Sequence, residues 1–266
     1  MMHPRRVWHR IERPVSVIAV LLAFFAAWEL FVRLFHIPAF LLPAPSSLIV
    51  EFAWSPAYFL RNALFTFWTT TAGFVASVVI GVLLAIGIAY STILERTFYT
   101  LLIAFNSVPK VALAPLFVIW LGTGATPKIA IAFTIAVFSI VISGVLGLRS
   151  ADPDLLALAR SARASELHIL WKVRLPSALP SLFAGMKIAI SVALVGAIVG
   201  EFVAGTNGLG QVILVAQSSF QIGRMFVAIV FLGILGTVLF YAVDFAERLL
   251  IPWHVSQRSG RMMAPA

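Results

Sequence analysis

The segment DPDLLALARSARASELHILWKVRLPSALP, residues 152–180, is polar and lies within an otherwise apolar chain. Of the 266 residues, 61% are hydrophobic and 11% are charged, whereas an ordinary soluble domain has about 25% charged residues. A single soluble core cannot absorb this apolar excess, so the composition indicates that lipid surrounds most of the protein. The polar segment therefore predicts a loop outside the membrane.

Two short helices are predicted within this loop, joined by a turn near residues 162–164. Asp152 and Ser165 are typical helix N-cap residues, and Pro153 suits the first helical position. Pro176 and Pro180 predict the end of the second helix. Both helices carry an apolar stripe, formed by Leu155, Leu156, Leu158, Ala159, Leu167, Leu170, Trp171 and Val173. The stripes pack either on the cytoplasmic ends of the protein itself or on a partner.

Six apolar runs are each near the about 20 residues that cross a bilayer. The predicted spans are residues 15–35, 64–90, 98–121, 127–148, 180–204 and 225–250. The first is longer than the about 7–15 residues of a signal-peptide core, which indicates an uncleaved membrane helix. The predicted fold class is all-α, a polytopic membrane helix bundle.

The domain organisation follows from these spans. Residues 1–14 and 251–266 are predicted cytoplasmic tails, and residues 15–63 hold the first span and a proline-rich interfacial segment with Trp54 and Tyr58 near the headgroups. The bundle core occupies residues 64–250. There is no cysteine, which excludes disulfides and thiolate metal sites.

Orientation is predicted from lysine and arginine, which accumulate in cytoplasmic loops. With the N-terminus inside, 13 basic residues are cytoplasmic and 4 are outside. The four are Arg33, Arg61, Lys128 and Arg224. Both termini and the loop 151–180 are therefore expected in the cytoplasm.

The loop resembles the EAA loop of ABC importer permeases, whose pattern is E-A-A, three residues, G, nine residues, then I-x-L-P. The pattern falls on residues 157–159, Arg163, Val173 and the pair Leu175–Pro176. Further stretches resemble the nitrate/sulfonate/taurine branch: FLLPAPSSL at 40–48, NSVPKVALAPLFVIWLGTG at 106–124, RLPSALPSLFAGMKIAISVA at 174–193 and GEFVAGTNGLGQVI at 200–213. The resemblance covers residues 28–252.

The resemblance implies a type I importer permease fold and a subunit that performs no catalysis and binds no cofactor or metal. ATP and Mg would be bound by a partner ATPase dimer, a periplasmic binding protein would deliver the solute, and a second permease copy would complete the path. A homodimer is expected and a heterodimer is possible. The residues expected to couple to the ATPase are Leu155, Leu158, Ala159, Arg160, Arg163, Ser165, Leu167, Leu170 and Trp171.

Two departures from the family pattern affect this loop. The family's Glu is absent, and Arg163 stands at the turn position where a glycine would allow positive φ at no cost. We therefore expect a turn that is built differently or has relaxed geometry. The basic surface formed by Arg160 and Arg163 predicts an ATPase with a more acidic groove.

Candidates for the solute path are Asn106, Lys110, Ser139, Ser143 and Glu201. Asn106 and Lys110 lie near prolines that break the third span, so this span is either a packing kink or a wall of the path. The two serines are more typical of helix packing, and Glu201 is either an anchor, a salt-bridge partner or a gate.

Three other features carry less weight. Lys187 is expected to extend its charge to the inner interface, and Glu29 and Arg33 form a predicted helix pair. The stretch GTNGLGQV, residues 205–212, lacks the Lys and Ser/Thr of a phosphate-binding loop, and we interpret it as a periplasmic turn.

The sequence therefore predicts the permease subunit of an ATP-driven importer in the bacterial inner membrane. The solute is expected to be a small anionic or organic compound such as a sulfonate or nitrate. The alternative is an ion-coupled secondary transporter, which would need acids in the middle of spans and would show an inverted repeat.

Overall fold

A computed structural model describes residues 5–91, 94, 97 and 108–252, with side chains described from residue 19 onward. None of these residues lies in a β-strand, and the all-α prediction is confirmed. The helices are α1 (Arg5–Leu34), α2 (Pro45–Trp54), α3 (Pro56–Tyr90), α4 (Ala114–Leu121), α5 (Ala125–Arg149), α6 (Pro153–Ser161), α7 (Glu166–Ile169), α8 (Leu175–Ala204), α9 (Leu209–Ser218) and α10 (Ile222–Leu250). A 3-10 turn, Lys110–Leu113, precedes α4.

Four helical segments in the described part of the chain are long and apolar enough to span a membrane: Pro56–Tyr90, Ala125–Arg149, Glu166–Ala204 and Ile222–Leu250. They correspond to the predicted second, fourth, fifth and sixth spans. The first predicted span lies in α1, where side chains are described only from residue 19 onward, and the third includes residues 98–107, which the structure does not describe. The count of six spans therefore stays a prediction.

The predicted end of the second loop helix at Pro176 and Pro180 is wrong. Residues 170–174 form a π-helical turn that joins α7 to α8, and Pro180 lies inside α8. Pro176 has no N–H to donate to the carbonyl four residues before it. The backbone widens instead, and Leu175 N–H donates to the Leu170 carbonyl oxygen, five residues back.

The interfacial segment is more regular than its prolines predicted. It contains α2 and the first turns of α3, which begins at Pro56 and not near Leu64. Pro45 and Pro56 are each the first residue of their helix, where the missing N–H has no intrahelical partner to lose. Trp54 and Tyr58 are both exposed, and their position at the headgroups stays a prediction.

The chain divides into two units, of which the first comprises the described residues up to Leu60 together with Val212–Val230. In this unit the Glu29 carboxylate accepts hydrogen bonds from Arg33 Nε at 2.6 Å and from the backbone N–H of Ser46 at 3.0 Å. The predicted pair of Glu29 and Arg33 is confirmed, and it also caps the start of α2. Arg224 Nε donates to Glu51 at 2.9 Å, which ties the start of α10 to α2.

The second unit comprises Arg61–Gln211 and the chain from Phe231 onward. Its centre is the close packing of α5 against α8, where a Cβ on Gly196 would lie 2.8 Å from Ala132 Cα. Small residues at such a crossing let two membrane helices approach closely. The buried residues at this crossing are Ala132, Ala136, Ile140, Ala189, Ala193 and Ala197.

Candidate functional site

The polar segment 152–174 forms the two predicted helices, each with its predicted cap. Asp152 Oδ1 accepts a hydrogen bond from Asp154 N–H at 2.8 Å, at the start of α6. Ser165 Oγ accepts one from His168 N–H at 3.3 Å, at the start of α7. These side chains satisfy backbone donors that a helix start leaves without a partner.

The turn between α6 and α7 has left-handed geometry, with Arg163 at φ 56°. Arg163 N–H donates to the Arg160 carbonyl oxygen at 2.9 Å, and Ala164 N–H donates to the Ala159 carbonyl oxygen at 3.0 Å. These two bonds define a Schellman motif, which usually has glycine at the left-handed position. The expectation of a differently built or relaxed turn is wrong, because the chain keeps this geometry with arginine at a cost of about 1–2 kcal/mol.

The apolar stripe of the segment divides into an exposed part and a buried part. Leu158 is 66% exposed, and its exposed companions are Leu155, Leu167 and Trp171. Leu170 is only 8% exposed and packs with Ala85, Leu148, Ala178 and Leu182 of the second unit. Leu170 therefore belongs to the protein's own core, and its prediction as a surface contact to the ATPase is wrong.

Tyr90, at the end of α3, holds the segment against the rest of the second unit. Its hydroxyl donates to the Glu166 carbonyl oxygen at 3.4 Å, and the Arg174 guanidinium lies 4.9 Å from its ring centroid. The helix α7 also continues through the π turn into α8. The backbone that carries the exposed side chains of this segment is therefore connected directly to the membrane helix α8.

Glu201 is the centre of a second polar site, near the end of α8, and it is fully buried. Its carboxylate accepts hydrogen bonds from the Thr66 hydroxyl at 2.8 Å and from Gly210 N–H at 2.7 Å. Three glycines of the 205–210 turn surround it. A Cβ at Gly208, which has φ 113°, would collide with the carboxylate.

The same turn offers two more backbone donors, and both are engaged. Gly208 N–H donates to Asn62 Oδ1 at 2.8 Å, and Leu209 N–H donates to Thr66 Oγ1 at 2.9 Å. N–H groups at the start of a helix are the donors that a phosphate-binding loop uses. Side chains of this chain occupy them here, which supports the interpretation of residues 205–212 as a structural turn.

Lys128 completes this site as a fully buried cation. Its Nζ donates to the carbonyl oxygens of Thr123 at 2.9 Å, Gly124 at 2.7 Å and Ala204 at 3.3 Å. These contacts use all three donors of the ammonium group and cap the end of α8. In the sequence, Lys128 was assigned only to the outer side of the membrane, and no motif indicated that it would be buried.

The remaining path candidates fall in three different settings. Lys110 lies half-buried with its Nζ 4.5 Å from the ring centroid of Phe138. Ser143 lies at the α5–α8 crossing, where a Cβ on Gly185 would collide with it, and Ser139 is half-buried one turn earlier. Asn106 lies outside the described residues. The two serines therefore occupy a packing position.

Lys187 is held by acids of its own chain, and its extension to the inner interface stays a prediction. It forms ion pairs with Asp244 and Glu247, and Arg248 pairs with Asp244 at 2.7 Å. The two carboxylates lie three residues apart on one face of α10. This pair of acids was not predicted, although two carboxylates three residues apart within the predicted span 225–250 were the available signal.

The fold and these two sites define a class: a polytopic helical membrane protein with a polar two-helix segment between spans. The chain belongs to the family of binding-protein-dependent transport system inner membrane components, whose model matches residues 77–253. It is therefore a membrane-embedded, non-catalytic permease subunit of an ABC importer, as the sequence analysis predicted.

Two relatives illustrate the membership. The chain is 34% identical to the riboflavin transport system permease protein RibX of Chloroflexus aurantiacus, over 94% of this chain and 92% of that protein. It is 31% identical to the formylaminopyrimidine transport permease protein ThiX of Halalkalibacterium halodurans, over 86% and 92%. Among solved structures, a chain of the inward-facing MetNI methionine ABC transporter matches with a TM-score of 0.66 and 22% identity, over 73% of this chain and 97% of that chain. This last likeness shows the fold.

Proposed function

We propose that this chain forms half of the membrane path of an importer that carries a small organic solute inward, driven by a separate ATPase. Two copies enclose the path, a binding protein delivers the solute outside, and ATP and Mg are bound by the ATPase in the cytoplasm. The observation that carries this proposal is the exposed apolar stripe on a segment that is otherwise polar.

Leu158 and Trp171 are the most informative members of that stripe. Each is about two-thirds exposed, at 66% and 64%, although both helix caps of the segment are formed. Apolar side chains on a polar segment mark a protein interaction surface. A groove in the ATPase is the partner that the family architecture provides for this surface.

Leu158→Asp tests the docking role. The substitution should leave the permease folded in the membrane, because the side chain is exposed, and should reduce co-purification with the separately tagged cognate ATPase. An unpaired charge enclosed in the groove is expected to cost about 3–5 kcal/mol. Leu158→Met is the matched control and should retain the ATPase. Full retention by Leu158→Asp would contradict the proposal.

The proposed orientation places the segment 152–174 in the cytoplasm and the turn 205–210 outside. The supporting observation is the bias of 13 basic residues against 4. A reporter fused at Ser161 should respond as cytoplasmic and one fused at Gly205 as periplasmic. The opposite result at either position would contradict this topology.

The solute can be identified through the partner binding protein. RibX and ThiX are each named for a nitrogen heterocycle, whereas the sequence motifs favoured a sulfonate or nitrate. Titration of the purified binding protein with riboflavin, a formylaminopyrimidine, taurine and nitrate separates these classes. We expect one class to bind at micromolar concentrations, and binding of none would contradict a solute from these groups.

A further inference from the structure

Arg163 occupies a backbone position that its own fold does not favour for arginine. The residue has φ 56°, a conformation that glycine adopts readily and that a side chain disfavours. Both hydrogen bonds of the turn are made by backbone atoms, so glycine would serve the turn equally well. The side chain is exposed and makes no ion pair with any residue that the structure describes. Internal stability therefore does not account for the arginine.

Arg160 lies at the end of α6 beside this turn and is also available to a partner. Its Nε is 3.6 Å from Glu166 Oε1, and both side chains are 58% exposed. An exposed pair at this distance is weak and readily exchanged for a better acceptor. The Schellman turn thus presents two guanidinium groups, beside the exposed leucine at position 158.

We infer that Arg160 and Arg163 select an ATPase whose receiving groove carries carboxylates opposite the 160–164 turn. This inference rests on the proposed function and adds the chemistry of the partner. Arginine pairs with carboxylates through two parallel hydrogen bonds and keeps its charge at any physiological pH. Charge complementarity of this kind governs partner choice and association rate, while the apolar stripe supplies buried area.

A protein groove fits the charge pattern better than an anionic lipid surface does. The exposed acids Asp152, Asp154 and Glu166 lie in the same segment, and a negative membrane surface would repel them. Lipid attraction also depends on the number of basic residues and not on their exact placement. A fixed arginine in a disfavoured conformation is typical of recognition at one position.

Arg163→Gly separates the role in folding from the role in binding, because the two are expected to change in opposite directions. The variant should keep or raise the thermal unfolding temperature of the full-length permease in nanodiscs. Its dissociation constant for the purified cognate ATPase should rise about tenfold, and the dependence of binding on sodium chloride should become shallower. Arg163→Lys keeps the charge but not the paired hydrogen bonds, so its affinity should lie between those of Arg163→Gly and the wild type.

A second experiment exchanges the charges between the permease and the ATPase. Arg163→Asp should weaken binding more than Arg163→Gly, and replacing the opposing groove acid of the ATPase with arginine should restore it. The proposal is overturned if Arg163→Gly binds with unchanged affinity and salt dependence while Leu158→Asp still abolishes binding, which leaves the proposed function standing. It is also overturned if the effect of position 163 disappears in nanodiscs of phosphatidylcholine alone and requires phosphatidylglycerol.

Discussion

The segment 152–174 and the turn 205–210 are both polar regions of an apolar chain. They differ in whether their polar groups are paired inside the protein or exposed at its surface. Around Glu201 every named acceptor meets a donor of the same chain, and the glycines let the backbone close over the carboxylate. At Arg163 the backbone adopts the glycine conformation without glycine, and the charge faces outward. The first arrangement stabilises the subunit, and the second is suited to a partner.

The apolar stripe of the 152–174 segment also has a buried part and an exposed part. Leu170 points into the core formed by α3, α5 and α8, whereas Leu158 is exposed. One stripe therefore serves two purposes within thirteen positions of the chain. Substitutions at the buried Leu170 should therefore affect folding, and substitutions at the exposed Leu158 should affect partner binding.

Replacing Glu201 should produce the largest loss of stability. Glu201→Ala leaves the Thr66 hydroxyl and Gly210 N–H without their acceptor and removes the carboxylate that interacts electrostatically with the buried Lys128. Removing one partner from a buried charged network costs about 3–5 kcal/mol. Thermal unfolding in detergent, followed by size-exclusion fluorescence, should show this loss.

Glu201→Gln keeps an acceptor for Thr66 or Gly210 and should cost less than the alanine change. Glu166→Ala, on the exposed segment, is the control and should change stability by less than about 0.5 kcal/mol. Equal stability of Glu201→Ala and Glu166→Ala would show that the buried cluster does not hold the turn.

Leu170→Asp should give the next largest effect and should break the symmetry of the stripe. The side chain is 8% exposed among apolar neighbours, so a carboxylate there would be buried without a partner, at about 3 kcal/mol. The variant should lose folded protein in the membrane, whereas Leu158→Asp should keep it. If both variants fold equally well, the buried position of Leu170 is incorrect.

Lys187→Met should have an intermediate effect on stability. It leaves Asp244 and Glu247 facing each other at partly buried positions. Since the groups retain some exposure, we expect a loss of about 2 kcal/mol, between the values for exposed and for buried pairs. The triple variant with Asp244→Asn and Glu247→Gln should recover most of this loss in the same unfolding measurement, and failure to recover would argue against the ion-pair network.

The sequence predicted the long helices and the caps of the polar segment because apolar periodicity and capping chemistry are local. Asp152 and Ser165 cap the two helices at the positions that the neighbouring residues predicted. It did not predict continuity through Pro180, since a membrane helix tolerates proline when its surroundings compensate. Nor did it predict that Leu170 is buried, because the direction of a side chain depends on α3 and α8, which lie far away in the chain.

The buried polar site shows the same limit. The glycines of residues 205–210 were visible as a turn, and Glu201 was visible as an acid at the end of a span. Their mutual hydrogen bonds join Thr66 to residues more than a hundred positions later, and no local pattern encodes such a pairing. Arg163 is a further case, since glycine preference is a tendency that a chain can override at modest cost.

Lys110→Met should have the smallest effect on folding, and it sharpens the comparison by adding a third kind of polar site. The Lys110 ammonium lies 4.5 Å from the Phe138 ring centroid, a contact that contributes about 0.5–1 kcal/mol at partly exposed sites. Methionine keeps the length and the aromatic contact of the side chain, so unfolding temperature and ATPase retention should change little.

If the lysine attracts an anionic solute in the path, uptake into proteoliposomes containing ATPase and loaded binding protein should nevertheless fall severalfold. Lys110→Arg keeps the charge and should retain most of the uptake, which separates charge from shape. Normal uptake by Lys110→Met would mean that Lys110 stabilises the irregular turn at 110–113, and the expectation of an anionic solute would then lose its only support from a described path residue.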